Sequence, residues 1–312
     1  MDKFDSNYWA LILGGSSGFG LATAKKLSTH GMNIFVVHRD RRGANDRIEK
    51  EFEAIRKTGV KFVAVNTNAL TEVGRSEVLA QLRENLGKDG RIRVLMHSIA
   101  FGNLKPLVAA SHESPADLAV ARLSEKLNLS KDTIKAAVQS LCDEGIAPLY
   151  TLSEPTFGNV VMNEEDLQQT IYSMGSSLLT WVQECHEKGF FAHDARVLGM
   201  TSEGNQVAWK GYAAVAAAKV TLESLSRAIA LEFAPFGIRS NIIQAGVTET
   251  PALKLIPGSE RMKSAAKLRN PFKRTTQTED VANFIALMCT DEAAWVNGTI
   301  IRVDGGEQVA SF

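Results

Sequence analysis

The sequence predicts an α/β fold: a doubly wound, mainly parallel sheet of seven strands, with a helical insertion after the fourth. Three observations lead there. Short apolar runs alternate with helical stretches along most of the 312 residues. Several of those runs are apolar without a break, as strands are when both sheet faces are covered. A glycine cluster follows the first run, where a strand would turn into a helix. Strands separated by helices imply parallel pairing with right-handed crossovers. A chain of 312 residues is long for one domain, yet α/β folds often exceed the usual size, so residues 1–312 are expected to form one unit.

Tyr8–Leu13 reads as the first strand, and Leu21–His30 as the helix beyond the glycines. Asn33–Val37, Val60–Val65 and Ile92–Met96 read as strands two to four, separated by helices over Arg47–Lys57 and Ser76–Leu86. The alternation then stops from about Asn103 to Gly158. Within that insertion, Ser114 before Pro115, and Ser130 before Lys131, mark two helix starts. Leu123 and Leu127 on the first helix, and Ile134, Val138 and Leu141 on the second, form apolar faces that must be buried against something. The nearest apolar surface is the mouth of a ligand pocket at the carboxyl end of the sheet, so the insertion is expected to be a lid. Asn163 caps a long helix over Glu164–Lys188, whose first turn is acidic. Ala195–Gly199 is strand five, Tyr212–Phe233 a long helix ended by Pro235 and Gly237, and Ile238–Ile243 strand six. Glu279–Cys289 and Thr299–Val303 supply the last helix and strand.

Composition excludes several classes. Apolar residues at 45% and charged residues at 22% are ordinary for a globular protein, which excludes disorder, collagen and a disulfide scaffold. Thirty-five basic and 35 acidic side chains cancel, so no electrostatic footprint for nucleic acid or an anionic membrane is expected. The three cysteines are far apart and read as reduced thiols. His38, His112, His186 and His193 lack ligand spacing, and no metal site is expected. The polar, acidic start Met1–Asn7 does not resemble a signal peptide, and no apolar run approaches the roughly 20 residues of a membrane helix. A cytoplasmic protein is therefore expected.

Gly14-Gly15-Ser16-Ser17-Gly18-Phe19-Gly20 allows a tight turn and close approach of backbone to a pyrophosphate, whose charge the helix N-terminus stabilises. The spacing of Gly14, Gly18 and Gly20 resembles the short-chain dehydrogenase/reductase family, built on a Rossmann fold. Asn68 and Ala69 stand where that family has Asp followed by a hydrophobic residue; Tyr212 and Lys219 form Y-x6-K; Gly298 and Val303-Asp304-Gly305-Gly306 match its last strand. The common carbonyl-reducing members carry Y-x3-K, and Asn-Asn-Ala-Gly where this chain has His97-Ser98-Ile99-Ala100-Phe101. Both differences resemble the divergent branch containing the enoyl-acyl-carrier-protein reductases.

The resemblance implies a catalytic pair, Tyr212 and Lys219, placed on one helix face by a spacing of about two turns. It implies reduction of a trans-2-enoyl thioester, carried by acyl carrier protein or coenzyme A, by hydride transfer in fatty acid synthesis. Tyr212 would stabilise the charge on the thioester oxygen and Lys219 hold the cofactor ribose. Those reductases usually carry a second aromatic residue ten positions before the tyrosine, where this chain has Ser202. A serine on this strand end binds the substrate carbonyl in the carbonyl-reducing members. Ser202 is therefore a third catalytic candidate, and a 3-oxoacyl or carbonyl reductase is the alternative. Cofactor contacts are implied at Gly14, Ser16, Ser17, Gly18, Phe19 and Gly20, at Asn68 and Ala69, at Ser98, Ile99 and Ala100, and at Gly246, Thr248 and Thr250. Val247 takes the place of a usual proline, and His97 reads as a spacer.

The second strand ends His38-Arg39-Asp40-Arg41-Arg42, with no acid at the strand end to hold the adenosine ribose. Arg39, with His38 beside it and Arg42 as a weaker candidate, suits a 2′-phosphate, so NADP(H) is expected ahead of NAD(H). Asp40 could serve the ribose instead. A nucleic-acid-binding regulator would need Leu123–Leu141 to act as a reader, but residues 103–150 hold five basic and six acidic side chains. The resemblance also implies a homotetramer or homodimer, assembled through the helices near 164–188 and 212–233.

Overall fold

Strand β1 (Tyr8–Leu13) sends Trp9, Leu11 and Leu13 into one core and Ala10 and Ile12 into another, so its continuous apolar run is what its position requires. The structure is a computed structural model describing residues 3–109, 114–155 and 157–311, with the side chains of Arg42 and Asn45 outside the description. The other strands are β2 (Asn33–His38), β3 (Phe62–Asn66), β4 (Arg91–His97), β5 (Phe191–Thr201), β6 (Ile238–Ala245) and β7 (Ile300–Val303). All pairings are parallel, in the order β3-β2-β1-β4-β5-β6-β7. The order reverses between β1 and β4, and the crevice beyond the carboxyl ends there is where open α/β sheets bind ligands.

The helices are α1 (Gly18–Thr29), α2 (Asn45–Arg56), α3 (Glu72–Leu86), α4 (Pro115–Leu127), α5 (Lys131–Asp143), α6 (Glu164–Ile171), α7 (Ser177–Glu187), α8 (Ala213–Glu232), α9 (Pro251–Lys254), α10 (Ser259–Arg269) and α11 (Thr278–Met288). α1, α2 and α11 cover one sheet face; α3, α7 and α8 cover the other. At the amino ends of the strands, the buried Arg93 and Arg196 donate to the carbonyls of Met288, Cys289 and Thr290, which α11 leaves unpaired at its end. Asp194 balances them, paired with both and with Arg239. No described helix is long and apolar enough to cross a membrane.

Most element bounds shift by one to four residues from those expected, and two differences bear on the site. The helix expected over Glu164–Lys188 is interrupted by a π-helical segment, Tyr172–Ser176, between α6 and α7. Its cause is polar and steric: Ser173 donates to the carbonyls of Phe101 and Thr170, and a Cβ on Gly175 would lie 2.7 Å from the Ala218 carbonyl oxygen. The helix expected from Tyr212 begins at Ala213, with Tyr212 at the position before it.

In the insertion, Ser114 Oγ accepts the Asp117 amide at 3.0 Å and Ser130 Oγ the Thr133 amide at 3.0 Å, so both caps form. Val120, Ile134, Val138 and Cys142 then bury each other, with Leu123, Tyr150 and Leu152 packed alongside. The apolar faces read from the sequence are corrected accordingly: Leu127 is 57% exposed, and α4 and α5 turn their faces to one another rather than to the pocket mouth.

Candidate active site

Two glycines in the turn after β1 answer a close approach of backbone. Gly14 has φ +87°, and a Cβ there would lie 2.5 Å from the Ser98 carbonyl oxygen after β4. On Gly20 it would lie 2.2 Å from the Gly14 carbonyl oxygen. With both absent, the turn folds tightly against the first turn of α1. Ser17 at the N-cap makes no side-chain capping bond, and the first turn holds no acid. The leading amides of α1 are thus left for an anion, and the cradle fits a dinucleotide pyrophosphate.

A cavity of about 590 Å³ opens at the carboxyl ends of the strands. Every candidate read from the sequence lines it except Gly20, which sits behind the turn, and Arg42, whose side chain lies outside the described residues. The structure brings together segments far apart in the chain: the glycine turn, the ends of β2 and β3, Ser98–Ala100, Ser202, and Gly246–Thr250.

Tyr212 and Ser202 meet in this cavity, their hydroxyls 3.4 Å apart. Burial raises the Tyr212 phenol above its ordinary value, against the Ser202 hydrogen bond and with the nearby Glu203 charge, so the phenol keeps its proton at neutral pH. Lys219 is buried, and its Nζ donates to the Met200 carbonyl at 2.8 Å. Burial lowers its ammonium to about 8, with Glu223 opposing the shift. Glu223 in turn accepts from Thr201 Oγ1 and from Asn205 Nδ2.

His97, read as a spacer, is buried at the end of β4 with Nε2 2.8 Å from Ser177 Oγ. Burial, and then the Lys219 charge, push its imidazole down to about 3, so it stays neutral. The Arg39 guanidinium carbon lies over Phe101, 4.3 Å from the ring centroid, and Arg39 is itself exposed. The Asp40 carboxylate is engaged by His38 Nδ1 at 2.9 Å. Asn68 Oδ1 accepts the Leu70 amide at 3.2 Å and shapes its own turn.

Two features escaped the sequence reading. The first is an apolar wall of Met174, Trp209, Val215, Leu253, Ile256 and Met262, much of it from α9, α10 and the turn between them. Thr250 before Pro251, a cap followed by proline, was the signal for α9. The second is Arg269, which donates to Glu203 at 2.7 Å and to Glu307 at 2.9 Å. Glu307 is buried, and burial raises its carboxyl above the usual range. The insertion contributes Leu104 alone to the cavity among the described residues.

Comparison with known families separates two halves. Residues 8–122 match the short-chain dehydrogenase model, and residues 145–308, over half the chain, match the model described as enoyl-(acyl carrier protein) reductase. The chain belongs to the short-chain dehydrogenase/reductase superfamily. Residues 123–144, between the two matches, lie in the insertion. As a superfamily member this protein is an oxidoreductase that binds a nicotinamide cofactor. Among curated relatives, cis-4-hydroxycyclohexanecarboxylate dehydrogenase of Sinomonas cyclohexanicum is 27% identical, covering 95% of each chain. A tropinone reductase homologue of Arabidopsis thaliana is 22% identical, over 97% of this chain and 91% of its own. The NADH-dependent enoyl-acyl-carrier-protein reductase of Escherichia coli is 33% identical, but over only 37% of this chain and 44% of its own. Of solved structures, a Burkholderia cenocepacia short-chain dehydrogenase in complex with NADP shares the fold, with TM-score 0.67, 19% identity and coverage of 97% and 98%.

Proposed function

We propose that this superfamily member is an NADPH-dependent reductase of trans-2-enoyl thioesters. The observation that carries the reading is the seven-residue step from Tyr212 to Lys219, which differs from the four-residue step of the carbonyl-reducing members. The enoyl-reductase family match over the half of the chain that holds both residues, and the apolar wall beside Tyr212, support it. When bound, the cofactor would supply the hydride. The chain's own part is electrostatic: the protonated Tyr212 phenol would donate to the thioester oxygen as charge gathers there, and the Lys219 ammonium, in the same cavity, would hold the cofactor ribose. The apolar wall would exclude water from an acyl chain. Arg39, which no carboxylate of its own strand end neutralises, would take a 2′-phosphate. Asp40, occupied by His38, is a poor partner for a ribose.

Two observations favour a second reading. Ser202 lies within reach of Tyr212, as suits a carbonyl reductase, and the relatives that match along the whole chain are dehydrogenases and tropinone-reductase-like proteins. The deciding assay follows NADPH oxidation by purified protein on trans-2-enoyl and 3-oxoacyl thioesters of matched length. The enoyl reading expects turnover on the first to exceed the second by about tenfold or more, a difference of 1.4 kcal/mol in transition-state stabilisation. Faster turnover on the 3-oxoacyl thioester would replace it with the carbonyl reading. The family resemblance carries a homotetramer or homodimer assembled through the helices near 164–188 and 212–233; on α8 Val220 and Leu231 stand 49% and 77% exposed. Light scattering that returns a monomer would count against that assembly.

A further inference from the structure

Beyond Leu104, which lines the cavity directly, the insertion reaches it through α10. That helix presents Met262 to the apolar wall, and its neighbour Arg261 points the other way, toward the insertion. The Arg261 guanidinium carbon lies 5.9 Å from the centroid of the Tyr150 ring, and its Nη1 lies 3.8 Å from Glu154 Oε1. One turn earlier, Pro155 sits on Gly258, the residue before α10. A Cβ on Gly258 would lie 2.8 Å from the Pro155 Cβ, and its φ of +78° also calls for glycine.

α10 has little else to fix it. It buries only Ser264 and Ala266, and none of its side chains joins a hydrophobic core. A helix of 11 residues is marginal without packing, so contacts at its ends decide where it stays. The carboxyl end is held by Arg269 on Glu203 and Glu307, and by Asn270 on the Asp304 carbonyl. The amino half is held by the insertion, and besides it by Lys263, whose Nζ lies 3.9 Å from Glu249 Oε2.

We propose that the insertion is a brace rather than a lid, and that Arg261 is the positioning residue through which Tyr150, Glu154 and Pro155 hold α9 and α10 as the substrate-side wall of the cavity. The order of the wall is a property of the free protein; its effect on turnover rests on reading the cavity as the substrate site.

Hydrogen exchange on the full chain, without substrate, tests the brace. Arg261→Glu sets like charges against each other at Glu154. It should speed exchange of amides in 251–269 by about tenfold while the amides of β1, β4 and β5 keep their rates. Adding Glu154→Arg should bring the rates back toward wild type, which a merely disturbed helix would not do. If Arg261→Glu loosens the whole chain, Arg261→Met gives the same comparison without a new charge. Unchanged exchange in 251–269 in both single variants, or no recovery in the double variant, overturns the proposal. On whichever substrate proves active, Arg261→Met should raise KM by severalfold with kcat nearly unchanged. A fall in kcat at constant KM would also overturn the positioning role. The exchange result stands even where no thioester is turned over, so failure of the enoyl reading and failure of the brace are separable.

Discussion

Lys219 is the side chain whose surroundings fix a pH dependence. Its folded-state ammonium is lowered to about 8 from 10.5, chiefly by burial. Between those values the unfolded chain holds the proton that the folded chain has lost, so stability rises with pH there; below about 8 the cost of burying the charge is borne in full. Activity runs the opposite way. Above pH 8 the site loses its positive charge, so kcat/KM should fall along an alkaline limb near 8. Lys219→Arg should carry that limb beyond the accessible range, because a guanidinium keeps its proton. A limb that remains near 8 in the arginine variant would assign it to another group. Arg39 makes a second case: Arg39→Ala should weaken NADPH binding by about tenfold or more and leave NADH nearly untouched, checked by titrating both cofactors. Tyr212, Lys219, Ser202 and Arg39 were legible because each sits at a set distance from a motif or strand end. The Glu203–Arg269–Glu307 cluster was not. Its members stand 66 and 38 residues from the arginine, and nothing local in a charged residue says which distant charge it will meet.

Among the elements, the strands were the easiest to read, since the runs Trp9–Leu13, Ile34–Val37 and Val94–Met96 at the heart of β1, β2 and β4 are buried on both faces and therefore apolar. Helix caps at Ser114, Ser130 and Asn163 were equally plain, because capping is a local bond. The π segment at Tyr172–Ser176 was hidden: it exists because Ser173 reaches the Phe101 carbonyl, a contact 72 residues away. α10 was hidden too, because a helix that buries only a serine and an alanine carries no apolar stripe. The glycine turn allows a sharp expectation at this scale. In Gly20→Ala the new Cβ would lie 2.2 Å from the Gly14 carbonyl, and a backbone atom in a packed turn cannot swing aside. The turn and α1 should separate, costing about 1–3 kcal/mol of stability and most of the cofactor affinity. Denaturant unfolding and NADPH titration check the two parts. Wild-type affinity in the alanine variant would mean that the turn yields more readily than its packing suggests.

Over the whole molecule, the topology gathers the segments that follow all seven parallel strands, from Gly14 after β1 to Asp304 after β7, around one cavity, so what occupies the cavity touches much of the sheet. That architecture was legible because strand–helix alternation admits few arrangements once crossovers are right-handed. The destination of the insertion was not, because its apolar residues announce burial without naming a partner, and α4 and α5 supplied one another. A ligand that binds only the folded state stabilises it by RT ln(1 + [L]/Kd), about 2.7 kcal/mol at one hundred times Kd. For a domain this large each kcal/mol moves the melting temperature by roughly 2–3 °C, so saturating NADPH should raise it by about 5–8 °C. NADH at the same concentration should raise it less, through lack of a 2′-phosphate for Arg39, and in Arg39→Ala the two shifts should converge. Scanning calorimetry or dye-monitored melting measures all four shifts with no substrate present. Equal shifts from both cofactors in the unmodified chain would remove Arg39 from cofactor choice and leave Asp40, freed from His38, as the residue that reads the ribose.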